Sequence, residues 1–535
     1  MASGSTRAAP VWLTRGAESL RAGRLAEAEA ILREGLVSDP LYADGLHMLG
    51  VIAYQRKQYE AAIDLIGRAI KADRNAPGYH NNFGLALQGC GRLEDAVAAY
   101  RRALRLRSDH SGALNNLGTA LRALGCHDEA KTALRRALAL APDFAEAHNN
   151  LANVLADRDC FDEAVASFRR ALEIRPDYID ARCNLGELLT TLGRLREACG
   201  VYDDALAFQP EDASLHRDRA FVMFLEGAFE RAWLEHEWRF GPGTGTAPRN
   251  FPQPRWDGQG LRGARLLVWM EQGIGDELLF AGLLPELIER AAACVVECAP
   301  KLVPLFTRSF PGALVVARAD PPDPATLSDI DYQVAAGSVG RWLRPTLESF
   351  PGRRDYLVPD ARRVEYWRGR LADLGPGLKV GFSWRSRNVA GKRALSATRI
   401  EQWGAIFRVA GAHFVSLQYD ECAQELALAR AQFGVALHVF PEVDLFDDLD
   451  EAAALTKAMD LVISTPTAVS LLSGALGVET WQLSYGPDWR TFGSGRDPWL
   501  PSITRVERKP GQTWGEAIER VASRLGEVRR SGLGE

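Results

Sequence analysis

The 535-residue chain lacks the features that mark several common classes of protein. Basic residues are not in excess, since 64 Lys and Arg stand against 69 Asp and Glu, so nothing indicates the charged surface of a nucleic-acid-binding protein. No uninterrupted apolar run is long enough to span a bilayer. Residues Met1 to Gly23 contain no apolar core of a secretory signal, so we expect a cytoplasmic protein without a membrane span.

Cysteine is also scarce, and none of the eight cysteines forms a CxxC pair. This dispersal favours reduced thiols over a disulfide or zinc framework. Two DxD pairs, at 329–331 and 448–450, match a motif of metal-dependent sugar transferases, but two aspartates this close together occur often by chance. The sequence therefore predicts neither a bound metal nor a cofactor.

The strongest pattern in the chain is a repeat of 34 residues between Ala9 and about Asp212. Small residues recur in register, which lets paired helices approach closely, and proline ends the second helix of four units. The columns include Ala28, Ala62, Ala96, Ala130, Ala164 and Ala198; Gly16, Gly50, Gly84, Gly118, Ala152 and Gly186; and Pro40, Pro142, Pro176 and Pro210. The spacing resembles six tetratricopeptide repeats. A seventh, degraded unit with Trp233 and Trp238 is predicted to cap the stack.

Asparagine recurs with the same period at Asn82, Asn116, Asn150 and Asn184. Apolar burial does not require asparagine, and an amide both donates and accepts, so a row of amides can bind the backbone of an extended peptide. Alternatively, these side chains satisfy the turns between helices. The row resembles that in the repeats of eukaryotic O-GlcNAc transferase, and for the repeat half this resemblance implies a protein acceptor in the groove.

The composition changes between Arg239 and Gly263, where glycine and proline break the helical pattern. Beyond this point short apolar runs alternate with helical stretches, which predicts mostly parallel sheets. The strand candidates are Arg265–Met270, Cys294–Cys298, Ala313–Ala317, Tyr332–Ala335, Lys379–Trp384, His413–Gln418, Ala436–Val439, Asp460–Ser464 and Thr480–Ser484. We predict an all-α solenoid at 9–240, a junction at 241–262, and two Rossmann-like α/β lobes at 263–375 and 376–535 that face a cleft.

The most informative motif is the GIGD turn at 273–276, which follows a short apolar strand and opens a helix with acidic residues. It is not the full dinucleotide fingerprint, because Leu278 stands where the third glycine belongs. Asp276 either caps its helix, an effect worth about 0.3–1 kcal/mol, or takes a proton from an acceptor hydroxyl. The C-terminal half has two histidines and neither lies in a glycine turn, so a carboxylate is the better candidate for a base.

Two other loops follow predicted strands of the second lobe. Residues Ser383 to Asn388, with Lys392 and Arg393, carry four cations and two hydroxyls, which suit a diphosphate unless they form a solvated basic loop. After the strand that ends at Ser464, Thr465 is predicted to be an N-cap and Pro466 the first helical residue. That turn is either a phosphate site at a helix N-terminus or an ordinary strand–helix connection.

The segment EQGIGD at 271–276, the Ser416-Leu417-Gln418 segment and the block from Ser464 to Gly477 resemble the heptosyltransferase-like family, glycosyltransferase family nine, over most of residues 263–526. The resemblance implies the GT-B fold, a nucleotide sugar held mainly by the C-terminal lobe, and no required metal. By position, Asp276 would be the catalytic base. The donor-binding residues would be Gly273, Gly275, Ser383, Arg385, Lys392, Arg393, Gln418, Ser464, Thr465 and Thr467.

The order of repeats and transferase resembles bacterial tetratricopeptide glycosyltransferases, among them enzymes that modify flagellin. This resemblance implies a metal-independent protein O-glycosyltransferase that transfers a sugar to Ser or Thr of a protein, such as flagellin, held by the repeats. Pro466 and Leu471 depart from the family, which usually has Asp and His there, so a CMP-linked nonulosonic acid is expected rather than ADP-heptose. The alternatives are a scaffold or chaperone with a decayed transferase domain, and a lipopolysaccharide sugar transferase, which would have no use for a peptide groove.

Overall fold

The computed structural model describes residues 9–387, 396–509 and 511–531. The chain divides into two compact units, with the boundary between Leu188 and Leu189. The first unit is entirely helical. The second contains the remaining helical pairs and two parallel sheets with their covering helices. Among the described residues, no helix combines the length and apolar character that crossing a membrane would demand.

Residues 9–240 form fourteen α-helices joined by short turns, as the 34-residue period predicts. Their bounds are α1 Val11–Arg21, α2 Leu25–Ser38, α3 Ala43–Gln55, α4 Tyr59–Ala72, α5 Pro77–Gly89, α6 Leu93–Leu106, α7 Ser111–Ala123, α8 His127–Leu140, α9 Ala145–Asp157, α10 Phe161–Ile174, α11 Ile179–Thr191, α12 Leu195–Phe208, α13 Ala213–Leu225 and α14 Phe229–His236. The helices that precede the four repeat prolines all end two residues before the proline, as expected.

The columns of small residues lie between the two helices of each pair. The alanines at 28, 62, 96, 130, 164 and 198 are fully buried. A Cβ atom on Gly118 would come within 2.5 Å of Leu134 Cγ, so glycine is needed for α7 and α8 to approach this closely. The predicted tetratricopeptide solenoid is therefore confirmed, and it has a physical cause in these contacts.

The seventh pair, α13 and α14, belongs to the second unit and differs from a simple terminal cap. A cap would present a polar outer face to solvent. Here Trp233 is 1% exposed, and its Nε1 atom donates a hydrogen bond of 2.9 Å to the Arg344 carbonyl oxygen in the α/β region. The pair is apolar on this face because the α/β region covers it. We refer to residues 213–240 as the terminal repeat.

The first sheet has the strand order β3-β2-β1-β4, and every strand pair in it is parallel. Its elements and flanking helices are β1 Arg265–Trp269, α15 Ile274–Phe280, α16 Leu284–Arg290, β2 Ala293–Cys298, α17 Val303–Ser309, β3 Ala313–Ala317, α18 Pro324–Leu327, β4 Tyr332–Ala335, α19 Ala336–Leu343 and α20 Ala361–Ala372. The central strand β1 is nearly continuous in apolar residues, as a strand buried on both faces must be.

The second sheet has the strand order β10-β9-β8-β5-β6-β7, again with parallel pairs. Its elements are β5 Leu378–Ser383, α21 Gly404–Phe407, β6 Ala412–Ser416, α22 Ala423–Phe433, β7 Leu437–His438, α23 Leu449–Lys457, β8 Leu461–Ser464, α24 Ala468–Ala475, β9 Thr480–Tyr485, β10 Ile503–Arg508 and α25 Trp514–Ser531. Phe382, Trp403, Phe414 and Trp481 belong to the core on one face of this sheet.

All nine predicted strands are present, with ends that differ from the prediction by at most two residues. The tenth strand, β10, was not predicted. It lies at the edge of the second sheet, and only Ile503 of its six residues is fully buried, so its sequence lacks the apolar run on which the other predictions rest. The α/β character of this region is confirmed.

Candidate functional site

A cleft of about 710 Å3 lies in the second unit between loops that follow strands of the two sheets. The turn after β1 and the start of α15 form one wall. The opposite wall comes from loops that follow β5, β6, β8 and β9. Ligands of open α/β sheets bind at the carboxyl ends of the strands, which is where this cleft lies. We call it the inter-sheet cleft.

Asp276 lines the inter-sheet cleft from the first wall, together with Gly273 and Gly275. It is the third residue of α15, and its Oδ2 atom accepts a hydrogen bond of 3.2 Å from the Gly273 N–H. Asp276 therefore caps its own helix and also borders the cleft. The two roles predicted for Asp276, helix cap and proton acceptor, therefore do not exclude each other.

The neighbouring carboxylates of the same segment are buried away from the cleft. Glu271 accepts from the Arg239 guanidinium at 2.8 Å and from the Gly337 N–H at 2.9 Å. Glu277 pairs with Arg318. Burial raises the pKa of both glutamates, and the adjacent guanidinium groups oppose that shift. Of the three acidic residues, Asp276 alone lines the described cleft.

Gly275 lies against Leu471 of α24, on the opposite wall. A Cβ atom at position 275 would be 2.9 Å from Leu471 Cδ1. A side chain at position 275 would therefore require the end of Leu471 to shift, because α15 and α24 pack directly on each other here. The Leu471 side chain lines the cleft and fills the space at that point with apolar atoms.

At one corner of the cleft two cations surround an aromatic pair. The Tyr419 and Phe446 rings are nearly parallel, with centroids 6.3 Å apart. Lys301 Nζ lies 4.0 Å from the centre of the Phe446 ring and donates to the Phe446 carbonyl oxygen at 2.8 Å. The Arg387 guanidinium lies 5.1 Å from the same ring. These four residues, the cationic corner, combine surfaces for stacking with charges suited to phosphate.

Arg490 lines the cleft from the loop after β9 and is almost fully buried. It donates to Asp488 at 2.7 Å and to Gln482 at 3.1 Å, and lies 3.2 Å from a carboxylate oxygen of Asp497. Burial alone would lower the pKa of Arg490, but Asp488, Asp497 and, more weakly, Asp276 raise it above its usual value. Burial, partly opposed by Arg490, raises the pKa of Asp497 to about 6.

Five predicted donor-binding residues of the described chain do not line the cleft: Ser383, Arg385 and Gln418 and, after β8, Ser464 and Thr465. Ser383 Oγ donates to Gln418 Oε1 at 3.0 Å, and Gln418 Nε2 donates to the Arg385 carbonyl oxygen at 2.9 Å and to Asp420 at 2.8 Å. The Gln418 amide thereby joins the loops after β5 and β6. The Arg385 side chain pairs with Asp420 and with Glu425. Lys392 and Arg393 lie outside the described residues.

The loop after β8 corrects one prediction. The helix α24 begins at Ala468, so Thr467 is its N-cap, and Thr465 and Pro466 precede it. Ser464 and Thr465 are buried, and Ser464 Oγ donates to the Thr465 carbonyl oxygen at 2.8 Å. Pro466 and Thr467 line the cleft instead. The predicted cap was two residues too early because the Thr465 N–H still donates to the Ser383 carbonyl oxygen of β5, at 3.1 Å, and the helix begins only after Thr467.

In the first unit, the asparagines hydrogen-bond to one another. Three members of the half-exposed row, Asn116, Asn150 and Asn184, donate to the buried asparagine of the preceding repeat, and each buried asparagine donates to its half-exposed neighbour. The half-exposed row is Asn82, Asn116, Asn150 and Asn184, and the buried row is Asn81, Asn115 and Asn149. We call these seven side chains the amide ladder.

The amide ladder ends at a histidine. Asn82 Nδ2 lies 2.9 Å from His47 Nε2, which accepts in the neutral form of the ring. Burial lowers the pKa of His47 to about 4, with Asp44 opposing the shift, so the ring is neutral near pH 7. Beside the ladder, Thr119, Arg122, Ala123, Asn150 and Asp157 line a cavity of about 320 Å3.

Comparison with known proteins identifies the repeats. Models of the tetratricopeptide repeat match residues 13–79, 76–143 and 143–211. Protein FlbA of Caulobacter vibrioides is 36% identical over 333 residues, which cover 59% of this chain and 56% of FlbA. The chain thus spans about half the length of this curated relative. The matched share of this chain exceeds residues 13–211, so the similarity includes residues outside the repeats.

Solved structures of repeat proteins also resemble part of the chain. A tetratricopeptide repeat protein from Parabacteroides merdae is 18% identical, with 44% of this chain and 93% of that chain covered and a TM-score of 0.37. A thermophilic repeat protein from Thermus thermophilus is 23% identical, with 33% and 97% covered and a TM-score of 0.30. From the family models, this chain carries a tetratricopeptide-repeat region at residues 13–211.

Proposed function

We propose that this protein is a glycosyltransferase of the GT-B type that transfers a sugar from a nucleotide donor to a Ser or Thr hydroxyl of a protein bound by its repeats. The observation that carries the proposal is the inter-sheet cleft, in which Asp276 lies on one wall and the cationic corner borders the same space. A carboxylate can take the proton of an acceptor hydroxyl, and cations in the same cleft can hold the phosphate of a nucleotide donor.

In this proposal Asp276 acts as a general base. It takes the proton of the acceptor hydroxyl as that oxygen bonds to the anomeric carbon. The bond between the anomeric carbon and the phosphate oxygen breaks, and its electron pair leaves with the nucleotide. A positioned base of this kind typically contributes about 10²–10⁴-fold to the rate.

The cationic corner is proposed to hold the nucleotide. The Tyr419 and Phe446 rings offer stacking surfaces for a base, and Lys301 and Arg387 both lie beside the Phe446 ring, where their charges suit phosphate. A CMP-linked nonulosonic acid carries one phosphate and one carboxylate, so it matches the two cations of this corner. Nucleoside diphosphate sugars present the same total charge, and the experiment below separates the two classes.

The amide ladder is proposed to hold the acceptor protein. Asn116 and Asn150 each use one side-chain N–H and accept one hydrogen bond within the ladder, which leaves capacity for a second bond of each kind. Both are half-exposed, and the cavity of about 320 Å3 beside Asn150 has room for a side chain of a bound segment. Binding there would raise the acceptor's effective concentration toward the millimolar range. Flagellin is the first acceptor to test.

The competing candidate is a scaffold whose transferase region no longer catalyses. Three observations favour it. Asp276 caps its own helix, and Leu471 fills the space beside Gly275. The positive charge of Arg490 is neutralised by the neighbouring carboxylates of Asp488 and Asp497. A scaffold would bind protein through the repeats and would not bind nucleotide sugars.

The deciding experiment is a thermal-shift titration of the full chain with CMP, UDP, GDP and ADP and their linked sugars, followed by a transfer assay on flagellin. A ligand at about 100 times its Kd stabilises the folded state by roughly 2.7 kcal/mol, which is readily measured. We expect one nucleotide to shift both the native chain and Asp276→Asn, and transfer to occur in the native chain alone.

Asp360→Asn is the matched control, because Asp360 caps α20 and does not line the inter-sheet cleft. Equal turnover in the native chain and Asp276→Asn would remove Asp276 from the role of base. If no nucleotide shifts the unfolding temperature of the folded chain, the scaffold becomes the better assignment.

A further inference from the structure

The terminal repeat contacts the segment that leads into the GIGD turn through a buried ion pair. Arg239, at the end of the terminal repeat, is 2% exposed. Its Nε and Nη2 atoms donate to Glu271 Oε1 at 3.1 and 2.8 Å, and Nη2 also donates to Ser338 Oγ at 2.7 Å. A planar guanidinium that makes several bonds in fixed directions orients its partner as well as neutralising it.

Glu271 lies two residues before the GIGD turn, which carries Asp276. The next residue, Gln272, has φ of 62°, in the left-handed region that residues other than glycine rarely adopt. Such a conformation persists where surrounding contacts hold it. Here Glu271 is held on one side by Arg239 and Gly337, and Asp276 binds the Gly273 N–H on the other.

The same terminal repeat also contacts the opposite wall. Trp489 lies between Asp488 and Arg490 in sequence, and all three line the inter-sheet cleft. The Trp489 ring centroid is 5.2 Å from that of Phe224 and 6.2 Å from that of His236, both in the terminal repeat. One helical pair therefore packs against cleft-lining segments from both sheets.

We propose that Arg239 is a positioning residue for the proposed transfer reaction: through Glu271 it sets the conformation of the GIGD turn and so the place of Asp276 relative to the second wall. The inference rests on the proposed function for its activity readout. The terminal repeat would then help to position the proposed catalytic base, in addition to being the last helical pair of the repeats.

The alternative is that Arg239 only stabilises the fold. A matched variant at a second buried arginine distinguishes this structural role from the positioning role. Arg344 is equally buried, pairs with Glu286 on α16, and does not line the cleft or contact the GIGD turn. Arg239→Met and Arg344→Met each remove one buried guanidinium from the second unit. Arg239→Lys keeps a charge that can reach Glu271 but loses the planar geometry.

The experiment measures kcat, KM for the donor, and hydrogen exchange of amides 271–280 in the full chain and these three variants, at a temperature where all are folded. We expect Arg239→Met to lower kcat on the order of 10²-fold with the donor KM nearly unchanged, and to speed exchange in 271–280. Arg239→Lys should recover part of both effects. Arg344→Met should leave kcat and exchange in this segment near native values.

Equal effects of Arg239→Met and Arg344→Met on kcat and on exchange would overturn the inference. If the native chain transfers no sugar from any nucleotide donor, the proposed function fails and hydrogen exchange alone decides the role of Arg239. Faster exchange confined to 271–280 in Arg239→Met would then support positioning of the turn, and unchanged exchange would overturn it.

Discussion

Leu471 of α24 packs directly on Gly275 of α15, so that a side chain at position 275 would come within 2.9 Å of Leu471 Cδ1. This contact joins the two walls of the inter-sheet cleft next to Asp276. It also connects two segments of the sequence, the glycine turn and the helix after β8, whose contacting residues are 196 positions apart.

Gly275→Ala is expected to destabilise the second unit by about 1 kcal/mol at most, because the one atom that the new Cβ meets is the terminal methyl of a side chain that can shift. Leu471→Ala in the same chain should remove most of that cost, because it deletes the atom that the new Cβ meets. A double-mutant cycle from urea unfolding measures the coupling between the two positions. Additive effects would mean that the contact does not limit residue 275.

Lys301→Met is expected to weaken nucleotide binding by at least about tenfold, since a hydrogen bond to a charged group contributes about 1.5–3 kcal/mol. Lys457→Met is the control, because Lys457 Nζ donates to the Leu476 carbonyl oxygen and does not line the cleft. Isothermal titration at two salt concentrations checks the prediction. Similar Kd values for both variants would place the phosphate away from the cationic corner.

The terminal repeat is expected to be required for a stable α/β region. A fragment of residues 189–535 retains Arg239, whereas a fragment of 255–535 leaves Glu271 buried without its partner and uncovers Trp489. Removing one member of a buried ion pair costs about 3–5 kcal/mol. Thermal unfolding of the two fragments should show a higher and sharper transition for 189–535. Equal transitions would show that the terminal repeat contributes little to this region.

Acid is expected to destabilise the second unit through His236. Burial, with help from the positive charge of Arg239, lowers the pKa of His236 from 6.5 to about 3. The unfolded chain therefore binds a proton as the pH falls below 6.5 while the folded chain does not, so stability is full above that pH. It then falls by about 1.4 kcal/mol per pH unit down to about 3.

His236→Phe removes this titration and keeps a ring of similar size among Phe224, Trp233 and Trp489. The acid midpoint of tryptophan fluorescence should move to lower pH in this variant. His413→Phe, in β6 of the second sheet, is the control and should leave the midpoint in place. The same midpoint in native protein and His236→Phe would exclude His236 as the sensitive group.

The sequence by itself determined the repeats and nearly all of the strands. A helical pair is encoded by residues a few positions apart, and its 34-residue spacing recurs six times, so the small-residue columns specify the packing without knowledge of the rest of the chain. The strands β1 and β8 were also predicted from local sequence, because each is a short buried apolar run between turn residues.

The tertiary structure alone decided which polar groups meet. Lys301, Phe446 and Arg490 border one cleft although they lie in separate segments, and no local pattern marks them as partners. Packing also decided direction: the Gln418 amide turns inward to join two loops, while Asp276 turns toward the cleft. Local periodicity specifies a helix or a strand, but the direction of a side chain at a strand's end depends on the distant segments that pack against it.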